Sequence, residues 1–306
     1  MGTQTKNEVT HSLRHRALSR FLLAFFASAL VMALPMAITI SYIAPSRPSL
    51  SDQRAEAQTG GIYLPDRGDS LAMLFAGLNR DGELDYFTLV HADPMNHSLW
   101  VCMLPADCMT EAESGLMTLA EAYDRGGVFG AASALSETAD IYIHRSAAVS
   151  AFVFGNIVDA AGPVEMTLPV GIDIPEAGAH IEAGRQRMNG TRLIALMDFG
   201  AFPDGEAQRL ELLGEAIRQT ARKYLDGFGS DSGERLFTAF MHTLDQSNLS
   251  MADYEYRRSA FAYLHGREDL AVTLQVIGWV DTEAGRFLTQ EGIEDLQAAC
   301  YRLSSW

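Results

Sequence analysis

The chain has 306 residues, of which 48% are hydrophobic and 20% charged, with a net charge of −16. That composition argues against wholesale disorder and allows one large domain or two small ones. Residues 1–47 carry Lys6, Arg14, Arg16, Arg20 and Arg47 against a single acid, Glu8, which leaves 18 basic and 38 acidic residues, a net of −20, in 48–306; a segment so acidic argues against nucleic acid as a partner, because that binding rests on cationic phosphate contacts.

In chain order, residues 1–20 form a basic tail, and 21–43 (FLLAFFASALVMALPMAITISYI) run 23 residues without a charge. That length crosses a bilayer core as a helix. Pro35 inside it is better tolerated in membrane helices than in soluble ones. The arginines just before it place the N-terminus in the cytoplasm and the rest of the chain outside. The run is long for a secretory signal and its exit is a poor cleavage site, so an uncleaved anchor is expected, with a signal peptide as the rival reading. Residues 44–61 read as a stalk rich in Pro, Ser and charge, and 62–306 as the exterior domain.

Within that domain, 71–77 and 84–92 read as strands, 93–97 as a turn and 98–104 as the next strand of a hairpin. Helices are expected over 116–123 and 130–138 around the Gly126-Gly127 break, and a strand over 141–144. A helix follows over 146–160, with Val149, Phe152, Val153 and Ile157 at helical spacing and Gly162-Pro163 behind it. Then come a strand at 165–170 and helices at 190–197, 206–225, 234–244 and 251–264. A late strand at 270–279 and a closing helix at 292–303 finish the chain. The class is α/β, a mixed central β-sheet flanked by helices and preceded by one N-terminal transmembrane helix.

Chemistry-bearing motifs are sparse. Cys102, Cys108 and Cys300 form no CxxC pair, the eight histidines show no metal-ligand spacing, and buried apolar roles are expected for the cysteines. Trp100 reads as core, and Arg185 and Arg187 as a solvated turn. Asp107, next to last in the stretch VCMLPADC (101–108), stands at a strand end with no basic neighbour in the chain.

Several segments together, in order, resemble the LytR-CpsA-Psr family of cell-envelope proteins. MLFAGLN at 73–79 is similar to its first strand, and LDYFTLVHADPMNHSLWVCMLPADC at 84–108 to its longest signature, a strand, turn and strand ending in Pro-Arg-Asp. LAEAYDRGG at 119–127, DIYIHRSAAVSAFVFGNIVDAAGPVEMTLP at 140–169, MNGTRLIALMDFG at 188–200 and GWVDTEAGRFLTQEGIEDLQ at 278–297 continue the likeness, which covers roughly 14–306. The resemblance implies an extracellular domain held to the membrane by one helix. It also implies a phosphotransferase that moves anionic glycopolymers from a polyprenyl pyrophosphate carrier to peptidoglycan, with arginines on the pyrophosphate and aspartates on Mg²⁺. That chemistry needs fixed cations around the phosphoryl oxygens, and planar guanidinium groups match phosphate bidentately.

Carried over residue by residue, the resemblance places Asp85 and Asp107 as metal ligands and Asp107 as the catalytic aspartate. Asn79, Asp85, Asp198 and Asp204 fall on ligand-binding positions. The family's arginines fall on Ala106, Asp198, Gly200 and Glu83, while Arg80 and Arg209 stand near enough to substitute in catalysis. Mg²⁺ is the cofactor implied. Bland readings stand beside these: Asp85 and Asp107 as strand-end carboxylates, Asp204 as an N-cap, Arg80 and Arg209 as surface charges. Three functions follow. The first is an anchored family member that binds a polyprenyl-linked or cell-wall polymer ligand, or a partner, without ordinary catalysis. The second is an active Mg²⁺-dependent phosphotransferase with rearranged cations. The third is an unrelated anchored sensory or assembly domain.

Overall fold

The computed structural model describes residues 63–303 except 113–114 and 176–177. The basic tail, the apolar run 21–43 and the stalk lie outside the described residues, and among the described residues no helix is long and apolar enough to cross a membrane.

Five strands make the central sheet, in the order β11-β3-β2-β1-β6. They are β1 (Leu71–Leu78), β2 (Leu84–Asp93), β3 (Ser98–Pro105), β6 (Arg145–Ser150) and β11 (Ala271–Val276). β1 and β3 pair antiparallel with β2, while β6 joins β1 and β11 joins β3 in parallel. Both faces are covered. Met73, Tyr86, Val101 and Met103 point into one core with helices α2 (Ala151–Ala161), α4 (Gly205–Phe228), α5 (Gly233–Thr243) and α6 (Met251–Leu264). Leu74, Phe87, Leu89 and Cys102 point into the other with α1 (Leu119–Ala139) and α7 (Gln290–Ala299). Two-sided burial explains why β3 is almost uninterruptedly apolar rather than alternating.

A second sheet, in the order β12-β13-β4-β5, lies at one end. It joins β4 (Cys108–Ala112) and β5 (Gly115–Thr118) to the hairpin of β12 (Trp279–Thr282) and β13 (Gly285–Leu288). Ribbons of β7 (Val164–Leu168) with β10 (Gly184–Met188), and of β8 (Ile172–Ile174) with β9 (Ala179–Ile181), precede α3 (Gly190–Asp198).

Several expected elements change. Residues 116–118 are strand, and a single helical run starts at Leu119. The Gly-Gly break survives as a kink at Gly127, whose φ of 61° suits glycine; a side chain there would also meet the Gln246 amide. Residues 146–150 are not helix but the buried edge strand β6, and Ile141 makes only an isolated bridge with Arg302. Residues 270–279 divide into β11 and the start of β12.

Candidate functional site

Chain reversals after β1, β3, β6 and β11 all fall at one end of the sheet, the carboxyl ends of its parallel pairs, where open α/β sheets place ligands. Asp85, near the start of β2, and Asp107, just past β3, are at this end. Asp85 accepts two parallel hydrogen bonds from Arg209 on α4, Nη1 to Oδ2 at 2.7 Å and Nη2 to Oδ1 at 2.9 Å. Both side chains are largely buried, at 19% and 11% exposure, so the pair is a bidentate lock.

Asp107 has a cationic neighbour after all, and it comes from the far end of the sequence. Arg286 on β13 donates from Nη1 to Asp107 at 2.9 Å and to Glu206 at 2.5 Å, and from Nε to Asp281 at 2.8 Å. Its guanidinium lies 5.2 Å above the Trp279 ring. Burial disfavours the charge of Arg286, but hydrogen bonds to Asp281 and Glu206 outweigh it and hold the group firmly protonated. Glu206 also stands 4.0 Å from Arg209. One continuous chain of charges therefore runs Asp85–Arg209–Glu206–Arg286–Asp107, with Asp281 at its edge. Two guanidinium groups face four carboxylates. Cys108, beside Asp107, has its thiol pushed up to about 12 by burial and then by the Asp107 charge, so it is an inert core thiol. All three cysteines are free and buried.

The other sequence candidates sit around this chain in different roles. Arg80 pairs with Asp198 at 2.8 Å, so the anion at 198 carries its own cation; burial still raises the Asp198 carboxyl, with Asp81 and Asp85 adding to it against Arg80. Asn79 accepts the backbone N–H groups of Asp81 and Glu83 and donates to Glu83, which commits it to the turn after β1. Asp204 precedes α4 but makes no capping bond; it accepts from Gln208 at 3.0 Å. Glu206, two residues later, is the carboxylate that joins the network. Arg185 pairs with Glu165 on the exposed β7–β10 ribbon, apart from these groups.

Asp85 and Asp107 are each bound to an arginine, not to a shared point, and among the described residues no group of three His, Cys, Asp or Glu side chains could hold a metal ion. Both Asp85 oxygens are taken by Arg209, so a Mg²⁺ ion, which is held by one or two carboxylates together with waters and substrate phosphate oxygens, would have to displace that arginine to use Asp85 as a ligand.

Beneath the charged end lies an apolar cavity of about 140 Å³. Its lining follows β1 from Leu71 to Gly77, a span of roughly 20 Å at strand rise, and includes Val149, Phe154, Ile217, Ala221, Phe228 and Phe261. Tyr86, next to Asp85 in the chain, forms the end nearest the charges. Burial raises its phenol strongly, the Asp85 charge adds to this and Arg209 opposes it. Its ring fits only because residue 77 is glycine: a Cβ there would stand 2.4 Å from the ring.

The comparisons with known proteins bear on this arrangement. No curated protein matches the chain. Among solved structures, one from Enterococcus faecalis described as a transcriptional regulator aligns at 18% identity over 77% of this chain and 88% of its own, with a TM-score of 0.61. B. subtilis TagV aligns at 14% identity over 77% and 97%, with a TM-score of 0.60. TagT bound to LI-WTA aligns at 16% identity over 78% and 94%, with a TM-score of 0.55. At such identities these likenesses show the fold. The LytR_cpsA_psr family matches residues 49–212, more than half of the chain, and with the shared order of elements this establishes that the chain belongs to the LytR_cpsA_psr family.

Proposed function

We propose that this chain is a cell-envelope protein, anchored by residues 21–43 with its folded domain outside, that takes the tail of a polyprenyl-linked ligand into the apolar cavity and does so without ordinary phosphotransfer. The carrying observation is the pairing of that cavity with a mouth whose cations are already neutralised. Catalysis by positioned guanidinium groups needs them free to meet charge as it develops. Here Arg209 spends both terminal nitrogens on Asp85, and four carboxylates outnumber the two arginines. The solved neighbour TagT carries LI-WTA, and the related LIIa-WTA complex aligns with a TM-score of 0.57, which supports a polymer-bearing ligand for this fold.

The cavity resembles in size the engineered apolar cavities that stay dry and accept benzene. As it stands it takes a short hydrocarbon segment, and a longer tail requires side chains to move. The test is purification of the full-length protein in mild detergent with mass spectrometry of the lipid that accompanies it. A polyprenyl-phosphate lipid is expected, with Ala221→Phe, which fills the cavity, expelling it. No lipid, or lipid retained unchanged by Ala221→Phe, sinks the reading.

A second reading, an active phosphotransferase, is favoured by one observation: Arg286 restores a cation beside Asp107. Mg²⁺-dependent transfer of a lipid-linked glycopolymer, abolished by Asp107→Ala, would establish it over the first.

A further inference from the structure

The two outer edges of the central sheet differ. Along β6 the edge is closed by the segment 245–248. Ala148 exchanges both backbone hydrogen bonds with Asp245, at 2.8 and 3.1 Å. Ser146 gives its N–H to the Asn248 side chain at 2.8 Å and receives the Asn248 N–H. Along β11 no segment does the same among the described residues. Ala271 donates to His97 and Ile277 to Met103, so in the parallel register the backbone groups of 271, 273, 275 and 277 turn to β3. Those of Val272, Leu274 and Val276 turn away, and no hydrogen bond takes them among the described residues. Edge strands are ordinarily blunted by Lys, Pro, a bulge or a covering segment. Ala271–Val276 (AVTLQV) has no charge and no proline, and it pairs with β3 in unbroken register.

Beside this edge runs a groove of about 300 Å³, walled by Leu274 and Val276 on the strand and by Asp204, Ala207, Gln208 and Glu211 at the start of α4. Glu211 is exposed and makes no hydrogen bond or ion pair among the described residues. The Asp204 carboxylate accepts from the neutral Gln208 amide. We infer that the outer edge of β11 is a docking site for an extended, lysine- or arginine-rich segment of a partner protein, which joins the five-stranded sheet as a sixth strand. Main-chain bonds to Val272, Leu274 and Val276 supply the affinity. Every second side chain of the added strand stands over the groove. A lysine or arginine there lays its apolar stem on Leu274 and Val276 and carries its charge to Glu211 and Asp204. The same carboxylates disfavour a second copy of this chain as the occupant. Pairing β11 with β11 about a two-fold axis would bring two acidic rims together, on segments whose residues 48–306 each hold 18 basic against 38 acidic side chains. This docking is independent of what fills the apolar cavity.

The experiment uses the full-length protein in mild detergent and three synthetic octapeptides: alternating Lys-Val, alternating Glu-Val, and the Lys-Val peptide with its backbone nitrogens methylated. Titration gives the affinities, and amide hydrogen exchange reports which backbone groups are taken. The Lys-Val peptide should bind about tenfold or more tighter than the other two, and it should slow exchange at Val272, Leu274 and Val276. Val272→Pro removes an N–H that points away from β3, so the pairing of β11 with β3 survives. It should weaken the Lys-Val peptide by about tenfold, the scale of one or two hydrogen bonds. Glu211→Lys should narrow or reverse the preference for Lys-Val over Glu-Val. Lys-Val binding that leaves the three amides unprotected, or that survives methylation, would mean attraction to an acidic surface alone and would overturn the proposal. Equal affinity for the Lys-Val and Glu-Val peptides would overturn the basic partner. Slow exchange at the three amides without peptide would mean that this protein already covers its own edge, through a second copy or another part of the chain, and would overturn it as well. So would the absence of binding. If Val272→Pro does not fold, the methylated peptide decides alone.

Discussion

Asp85 and Asp107 are the same residue type at corresponding ends of neighbouring strands, yet their surroundings give them different energetic weight. Asp85 and its arginine are largely buried and bidentate; Asp107 is mostly in water, and Arg286 keeps two other carboxylates without it. Asp85→Asn should therefore destabilise the fold by about 1.5–3 kcal/mol, since it strands a buried guanidinium, whereas Asp107→Asn should stay within about 0.5 kcal/mol of wild type. Urea denaturation of both variants measures this, and equal midpoints would refute the distinction. Asp85 and Asp107 were legible as carboxylates at strand ends because the runs beside them read as strands. The place of Arg286 was not legible, because 179 residues separate it from Asp107, and no local pattern reports a pairing made only when β13 docks beside β4. The apparent loss of a cation at Ala106 was a statement about sequence neighbours, not about space.

At the scale of elements, the long amphipathic helices were the most legible. Met251–Leu264 matches its expected bounds, and Gly205–Phe228 extends the expected helix by a few residues. The misread stretch 146–150 shows why strands were harder. As a parallel edge strand with Ala147 and Ala148 both fully buried, it has no period-two alternation, and its apolar residues merge with the helical spacing of α2 that follows. Strands β8, β9 and β10 are three to five residues long and carry too little periodicity to be seen. Gly77 shows a sequence signal whose meaning only packing supplies: in β1 it is a gap filled by the Tyr86 ring of β2. Gly77→Ala should cost about 1–3 kcal/mol by overpacking, and Tyr86→Leu in the same chain should recover most of it. Thermal unfolding of the single and double variants measures this; additive losses would show that the ring is not the obstacle.

For the whole molecule, buried titratable groups that bond to the central sheet should govern how stability responds to acid. His144 is the clearest case. Its Nδ1 accepts the backbone N–H of Ala72 at 3.0 Å, so a proton on Nδ1 would face a donor. Burial, then the charges of Arg257, His91 and Arg145, with Asp253 opposing them, lower its pKa to about 3. Because this value lies below the ordinary one, the unfolded chain binds a proton on this group between pH 6.5 and 3 while the folded chain does not. Its contribution is therefore fully present above pH 6.5, declines as pH falls, and levels off once the folded-state pKa is passed. At 1.36 kcal/mol per unit of pKa difference, the loss between pH 7 and pH 4 is about 3 kcal/mol. His144→Asn can keep an oxygen acceptor for Ala72 but cannot titrate, so it should resemble the wild type at pH 4 far more than at pH 7 if the substitution costs packing, and exceed it at pH 4 if it does not. In either case the stability difference, wild type minus variant, should shrink by that amount as the pH is lowered from 7 to 4. Denaturation curves for the two proteins at both pH values decide the matter, and parallel pH profiles would show that the acid response comes from other groups.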